Sequence, residues 1–290
     1  MLLVALFAAV VAAGISAQAF TVSYLDGTVE LQTSKGWTAV SIGDKVPADA
    51  TVRISDTGSL ELIRARTKIT LLKDGTFSVA SLAAGASAGG SGGVGSSIAQ
   101  KLQTLVTEKP KSSTAGGVRG AEQGTGTVTW VDENDEIRAQ VQTLLDKKSW
   151  QDAAVLLQDS IKNASSDADV AEFSYLLGVA YYGAGQTAKA YRTLAKVSAD
   201  PATAWYARYV ILKAQVLVDT QNYNDALGVL TPFISDYPTG EATQVAYLLS
   251  GISQKGLGNK AAAKSAFDTG YKLDASSDTA KLIDQQRKAL

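Results

Sequence analysis

Two short stretches of this chain are spelled like catalytic loops. Gly90-Ser91-Gly92-Gly93-Val94-Gly95 satisfies GxGxxG, whose glycines let a backbone turn approach a pyrophosphate. Gly85-Ala86-Ser87-Ala88-Gly89 satisfies GxSxG, the elbow that presents a serine hydroxyl for nucleophilic attack. Neither has the surroundings its chemistry needs. A dinucleotide loop lies between a strand and a helix of a βαβ unit, and here only Ala, Gly and Ser precede it. The serine needs a base, and the chain holds no His; composition alone leaves a Ser–Lys dyad open, but no spacing supports one. The absence of Cys removes thiolate nucleophiles, disulfides, lipid-bearing cysteines and the usual zinc sites. The acidic run Asp132-Glu133-Asn134-Asp135-Glu136 lacks the DxDxDG calcium loop and immediately precedes a helical pattern, where carboxylates favour the positive end of the helix. The expectation is a non-enzymatic protein with no catalytic residue, no metal and no cofactor, its function lying in binding.

The elements that would carry such binding must come from 290 residues, 46% hydrophobic and 19% charged, which is chain enough for two modest domains. Lys and Arg total 27 against 28 for Asp and Glu, so no positive excess exists to condense on phosphate, and nucleic acid is not an expected partner. From Met1 to Ile15 the residues are apolar, roughly 22 Å as a helix against the ~30 Å of a bilayer core. Ala17-Gln18-Ala19 then supplies the small-x-small pattern of a signal peptidase site, although no Lys or Arg precedes the apolar run. Residues 1–19 are therefore read as a signal peptide, giving a mature protein that starts at Phe20, is periplasmic or secreted, and has no membrane span after cleavage.

Residues from Phe20 to Leu82 alternate with period two. Thr21–Leu25 and Thr28–Gln32 flank Asp26-Gly27, a hairpin signal, and further strands are expected at Trp37–Val40, Val52–Ile54, Ser59–Ile63, Lys68–Leu72 and Thr76–Val79. Gly43-Asp44, Asp56-Thr57-Gly58 and Asp74-Gly75 are the expected turns. The order Gly27-x-Val29, Trp37, Gly43-Asp44-x-Val46 and Phe77-Ser78-Val79, with Gly117-Val118-Arg119-Gly120 downstream, resembles the FecR-type domain of bacterial envelope proteins. That resemblance implies an all-β domain over residues 20–131, closed by a strand at Thr127–Val131 and interrupted by an insert or linker at 83–113, which is Gly/Ala/Ser-rich apart from Ser97–Thr107, where Ile98, Leu102 and Leu105 at helical spacing predict one short helix. Val52-Arg53-Ile54 departs from the pattern by lacking the Thr common after that Arg.

Beyond Asn134 the period changes to 3.6 and a small motif returns. Ala153, Ala190, Ala226 and Ala263 are spaced by 37, 36 and 37 residues. Twelve residues before each lie Val141, Gly178, Ala214 and Gly251, and four after each lie Leu157, Leu194, Leu230 and Phe267. Small residues that face each other let antiparallel helices approach closely, and a large one fills the space beside them. Leu177-Gly178-Val179-Ala180-Tyr181, Gly185 in the turn and Ala190 in the second helix resemble the tetratricopeptide repeat (TPR), as do Tyr223, Phe233 and Pro238 in the next unit. The resemblance implies an all-α TPR-like solenoid over 134–290, with Asp278–Leu290 as a capping helix, in an α+β multidomain chain. The segment from Ala226 to Leu249 is also similar to periplasmic TPR proteins of outer-membrane assembly and of the Tol–Pal type.

In such arrays the first helices line a concave groove that takes an envelope protein or peptide. By spacing, those faces carry Arg138, Gln142, Tyr175, Tyr182, Arg208, Gln215, Asp219, Leu248, Ile252 and Lys255, with Tyr175, Tyr182 and Arg208 as anchors. Tyr181, Leu194, Tyr223, Phe233 and Phe267 are assigned to the core. The expected function is an exported cell-envelope scaffold. Two rivals stand beside it: a FecR-type envelope sensor, disfavoured because no cytoplasmic part precedes the apolar run, and a peptidoglycan- or polysaccharide-binding module using Trp37.

Overall fold

The computed structural model describes residues 19–65, 67–88 and 133–290. The chain divides into two compact units after Gly90. The apolar run 1–18, the GxGxxG stretch, the expected helix at 97–107, Gly117–Gly120 and the closing strand at 127–131 lie outside the described residues.

The first unit is a six-stranded antiparallel sheet followed by a helix. Strands β1 (Phe20–Thr33) and β4 (Thr51–Arg64) are each 14 residues long and pair with one another along almost their whole length. The shorter strands attach to these two: β2 (Gly36–Ala39) and β3 (Lys45–Val46) to β1, β5 (Thr67–Leu71) and β6 (Gly75–Ser78) to β4. Helix α1 (Val79–Ala88) completes the unit.

Two expected turns are therefore absent. Asp26-Gly27 and Asp56-Thr57-Gly58 do not reverse the chain; they kink β1 and β4 at the same level, where the register shifts between Asp26 and Thr28. Gly27, Asp56 and Thr57 all have positive φ, the backbone state that a bulge shares with a hairpin turn. The strands meet so closely there that a Cβ on Gly27 would stand 2.6 Å from the Gly58 Cα. The kink is tied from outside: Asp74 accepts hydrogen bonds from the N–H groups of Thr57 and Gly58, both at 3.1 Å, and Asp56 accepts one from the Thr28 hydroxyl at 2.6 Å. Phe20, Val22, Val46, Val52, Ile54, Leu60, Leu62 and Val79 form the buried core. Helix α1 runs through Ala88, so helix occupies the start of the segment expected as linker, and Ser87 sits in a last helical turn, not at a strand-to-helix elbow.

The second unit is helical. Pairs α2 (Glu133–Asp146) and α3 (Trp150–Asn163), α4 (Asp167–Gly183) and α5 (Thr187–Ala195), α6 (Tyr206–Asp219) and α7 (Tyr223–Asp236), and α8 (Glu241–Gly256) and α9 (Lys260–Leu273) follow one another, and α10 (Asp278–Lys288) ends the stack. Ala153, Ala190, Ala226 and Ala263 are all fully buried, as are Val141, Ala214, Leu157, Leu230 and Phe267. The spacing rule acts by direct contact: a Cβ on Gly178 would lie 2.5 Å from Leu194 Cδ2, and one on Gly251 would enter the Phe267 ring. In the second and fourth pairs the large residue of the second helix thus packs onto the glycine of the first.

The turn inside each pair is the same device four times. Lys148, Gly185, Gln221 and Gly258 have φ of 58°, 72°, 59° and 80°. The N–H of the next residue, Ser149, Gln186, Asn222 or Asn259, donates to the carbonyl five residues back at 2.8 Å in every case. This is the left-handed cap that satisfies the last carbonyls of a helix. Two of its four sites lack the glycine that the conformation favours.

Candidate functional site

The first helices α2, α4, α6 and α8 carry the residues expected to bind a partner, and their burial sorts them. Tyr175, Gln215 and Leu248 are almost wholly buried, at 1%, 2% and 1% exposure. Tyr175 is therefore not an exposed anchor. Its ring stacks on Trp205 at 5.3 Å and meets Tyr209 edge-on at 6.4 Å, while its hydroxyl has no hydrogen-bond partner. Burial pushes that phenol up from its ordinary pKa, the nearby Glu172 carboxylate adding to the shift against the Arg208 charge.

Tyr182, Gln215 and Asp219 come together across α4 and α6. The Tyr182 hydroxyl donates to Asp219 Oδ2 at 2.7 Å and Gln215 Nε2 donates to Asp219 Oδ1 at 2.6 Å, although Gln215 Oε1 is buried without a partner. Burial and then the Asp219 charge raise the Tyr182 pKa. Arg208, half-buried, forms no hydrogen bond or ion pair among the described residues. Lys255, also half-buried, lies 3.5 Å from Gln286 Oε1 on the capping helix, and Gln142 donates to Asp146 at 2.8 Å on its own helix.

Arg138 is spent differently. Its guanidinium bonds Asp135 at 3.0 Å, Asp169 at 2.6 Å and Glu172 at 3.0 Å, joining α2 to α4. Partial burial disfavours its charge, but these carboxylates more than offset that and raise its pKa. It is a structural tie between the first two pairs.

Beside this tie opens a cleft of about 540 Å³ between the N-terminal half of α4 and the connection from Lys196 to Trp205. Asp167, Asp169, Glu172 and Asp200 line it, with Arg138, Lys196 and Trp205. Its carboxylates are not placed by the 36–37 residue spacing, which explains why the repeat pattern did not reveal it.

Sequence reasoning also passed over Gly183 and Gly256. A Cβ on Gly183 would lie 2.7 Å from the Trp150 ring, and one on Gly256 would enter the ring of Tyr223. The first residue of α3 and of α7 thus sits on the end of the following pair's first helix. In the strand unit the Arg53 guanidinium lies 4.5 Å from the Trp37 ring centre and pairs with Glu30, so one face of that aromatic is already covered. Among the described residues no group of His, Cys, Asp or Glu could hold a metal ion, and no helix is long and apolar enough to cross a membrane.

The tetratricopeptide repeat model matches residues 172–201, which covers most of the second helix pair. A solved structure described as "MamA RS-1 ArsTM double mutant" is similar at 22% identity and a TM-score of 0.44, over 55% of this chain and 89% of that one. No curated protein matches the chain. A TPR match within a run of like helix pairs points to a protein-interaction module.

Proposed function

We propose that the chain is an exported cell-envelope scaffold that binds a protein or peptide through the first helices of its repeat array. The observation that carries this reading is the regular recurrence of helix pairs around the matched repeat, which sets Tyr182, Arg208, Asp219 and Lys255 on successive first helices, half-buried or exposed. Tyr175, Gln215 and Leu248 support that surface from beneath, and Arg138 secures its first joint. The strand unit is read as a FecR-like domain over 20–131, supported by the long strand β1 that bears Gly27 and Val29 and by the short β3 that sets Val46 against its start. Export is supported by the position of Ala17-Gln18-Ala19 directly ahead of Phe20, the first residue of β1.

A photo-crosslinking amino acid placed in the full-length chain at Tyr182 or Arg208 tests the binding surface. Cross-links to an envelope protein from these positions, and none from Ile42 or Ile63, the exposed apolar residues of the strand unit, are the expected result. Cross-links from Ile42 alone would move binding to the strand unit. N-terminal sequencing of the exported protein should begin at Phe20; a species retaining Met1 would overturn the export reading.

A further inference from the structure

We propose that the cleft between α4 and the 196–205 connection docks a cationic extended peptide segment, with an Arg or Lys side chain laid against Trp205 and its charge met by Asp167 and Asp200. This rests on the reading of the helical unit as a protein-binding array and names which part of it is a specificity site and for what chemistry.

The cleft exists because one pair is irregular. The second helices α3, α7 and α9 have 14 residues each, but α5 has nine, and the chain then runs without helix from Lys196 until α6 begins at Tyr206. The N-terminal half of α4 is left without a full second helix beside it. Elsewhere the connections between pairs are short, at residues 164–166 and 237–240.

Its charge is one-sided. Four carboxylates and two cations line it. Arg138 is already engaged by Asp169 and Glu172, which leaves Asp167 and Asp200 at the exposed rim against Lys196 alone. Asp200 Oδ1 accepts from the Ala202 N–H at 2.9 Å, which fixes the carboxylate, and among the described residues neither Asp167 nor Asp200 has an ion-pair partner. A negatively charged segment would meet repulsion here, and a positive one would be drawn in.

Trp205 supplies the second element. It is half-buried, lines the cleft, and is held by the Tyr175 stack at an interplanar angle of 9° and by the Tyr209 edge contact at 88°. A ring fixed in this way loses little freedom when a ligand settles on it, and its face attracts guanidinium or ammonium groups. Val170, Ala171 and Val197 give apolar contact for the methylene stem of the same side chain. The volume falls in the ~300–1,000 Å³ range of small-ligand clefts, which suits one or two side chains of an extended segment.

The test uses the full-length protein and a fluorescein-labelled, C-amidated hexa-arginine peptide, followed by anisotropy. The Asp167→Asn/Asp200→Asn pair removes two charges while keeping the side-chain shape, and should weaken binding at least tenfold with an unchanged melt. Asp152→Asn/Asp159→Asn removes two equally exposed charges from α3 and should change affinity less than twofold. Trp205→Phe, which keeps a ring for Tyr175 to stack on, should weaken binding several-fold. Equal loss in both double variants would show general attraction to an acidic protein and overturn the proposal, as would no loss in either. The outcome is separable from that of the broader reading. Cross-links from Tyr182 and Arg208 together with indifferent cleft variants would leave the array as a binder and remove the cleft; tenfold discrimination by the cleft without those cross-links would do the reverse.

Discussion

The four inner turns of the helix pairs allow a backbone effect to be measured almost without packing. A Cβ at Gly185 or Gly258 would meet nothing within 4 Å, yet both residues have φ near 75°. Alanine at either site therefore brings conformational strain and no clash. The left-handed state costs an L-residue about 1–2 kcal/mol, of which about 0.4–1 kcal/mol is returned because alanine lowers the entropy of the unfolded chain. Gly185→Ala and Gly258→Ala should each destabilise by about 0.5–1 kcal/mol. Gln221→Gly and Lys148→Gly invert the comparison in the same turn and should stabilise by a similar or slightly smaller amount, with the 2.8 Å bonds from Asn222 and Ser149 retained. Gly178 is the contrast. Its φ is helical, but Gly178→Ala must displace Leu194, and overpacking of that kind costs about 1–3 kcal/mol. Urea unfolding followed by circular dichroism at 222 nm reads all five variants, and each kcal/mol should move the thermal midpoint by about 2–4 °C. A neutral Gly185→Ala, or a Gln221→Gly variant that loses stability, would refute the claim that these turns are equivalent left-handed caps.

Further expectations follow from burial. Ala190→Leu and Ala226→Leu should each destabilise by about 1–3 kcal/mol, since both alanines have no exposed surface, and equal denaturation midpoints would contradict the packing. Tyr175→Phe should be neutral or stabilising by up to about 1 kcal/mol because it removes a buried hydroxyl without a partner, whereas Tyr175→Ala should cost about 3–5 kcal/mol; a large loss in the Phe variant would show that the hydroxyl is satisfied. The phenols of Tyr175 and Tyr182 have folded pKa values raised above the unfolded value near 10, so the folded state binds more protons in strong base. That stabilisation is complete below about pH 10 and is lost as pH rises beyond it. Spectrophotometric titration should find these two phenols ionising only as the helices melt.

What the sequence disclosed depended on whether the deciding partner was near in the chain. The recurrence of Ala153, Ala190, Ala226 and Ala263 set the helix pairs because the contacts it encodes lie within one pair, as Gly178 against Leu194 shows. Asp26-Gly27 was misread because a hairpin turn and a bulge ask for the same positive φ, and only the distant β4 decides between them. Tyr175 and Gln215 were placed on an open face because spacing identifies the first-helix side but not how tightly successive first helices close over it. The short α5 and its following connection, which open the cleft, fall between repeats, where periodicity carries no information.

The pairing scheme of the strand unit has a bearing on how that unit comes into being. Four of the six strands attach only to β1 or β4, so the sheet is wired as two spokes on each of two hubs. β2 and β5 each form a local hairpin with the neighbouring hub, as Thr33 opposite Gly36 and Arg64 opposite Thr67, whereas the ladder between the hubs joins residues far apart along the chain, as in Thr21 opposite Ile63. The loop between the hubs must close before the longest ladder can add its bonds, and contacts of such long separation slow the folding of a small domain. The facing glycines at 27 and 58 sit at the middle of that encounter, so a side chain at either would obstruct the ladder that joins the two halves of the sheet.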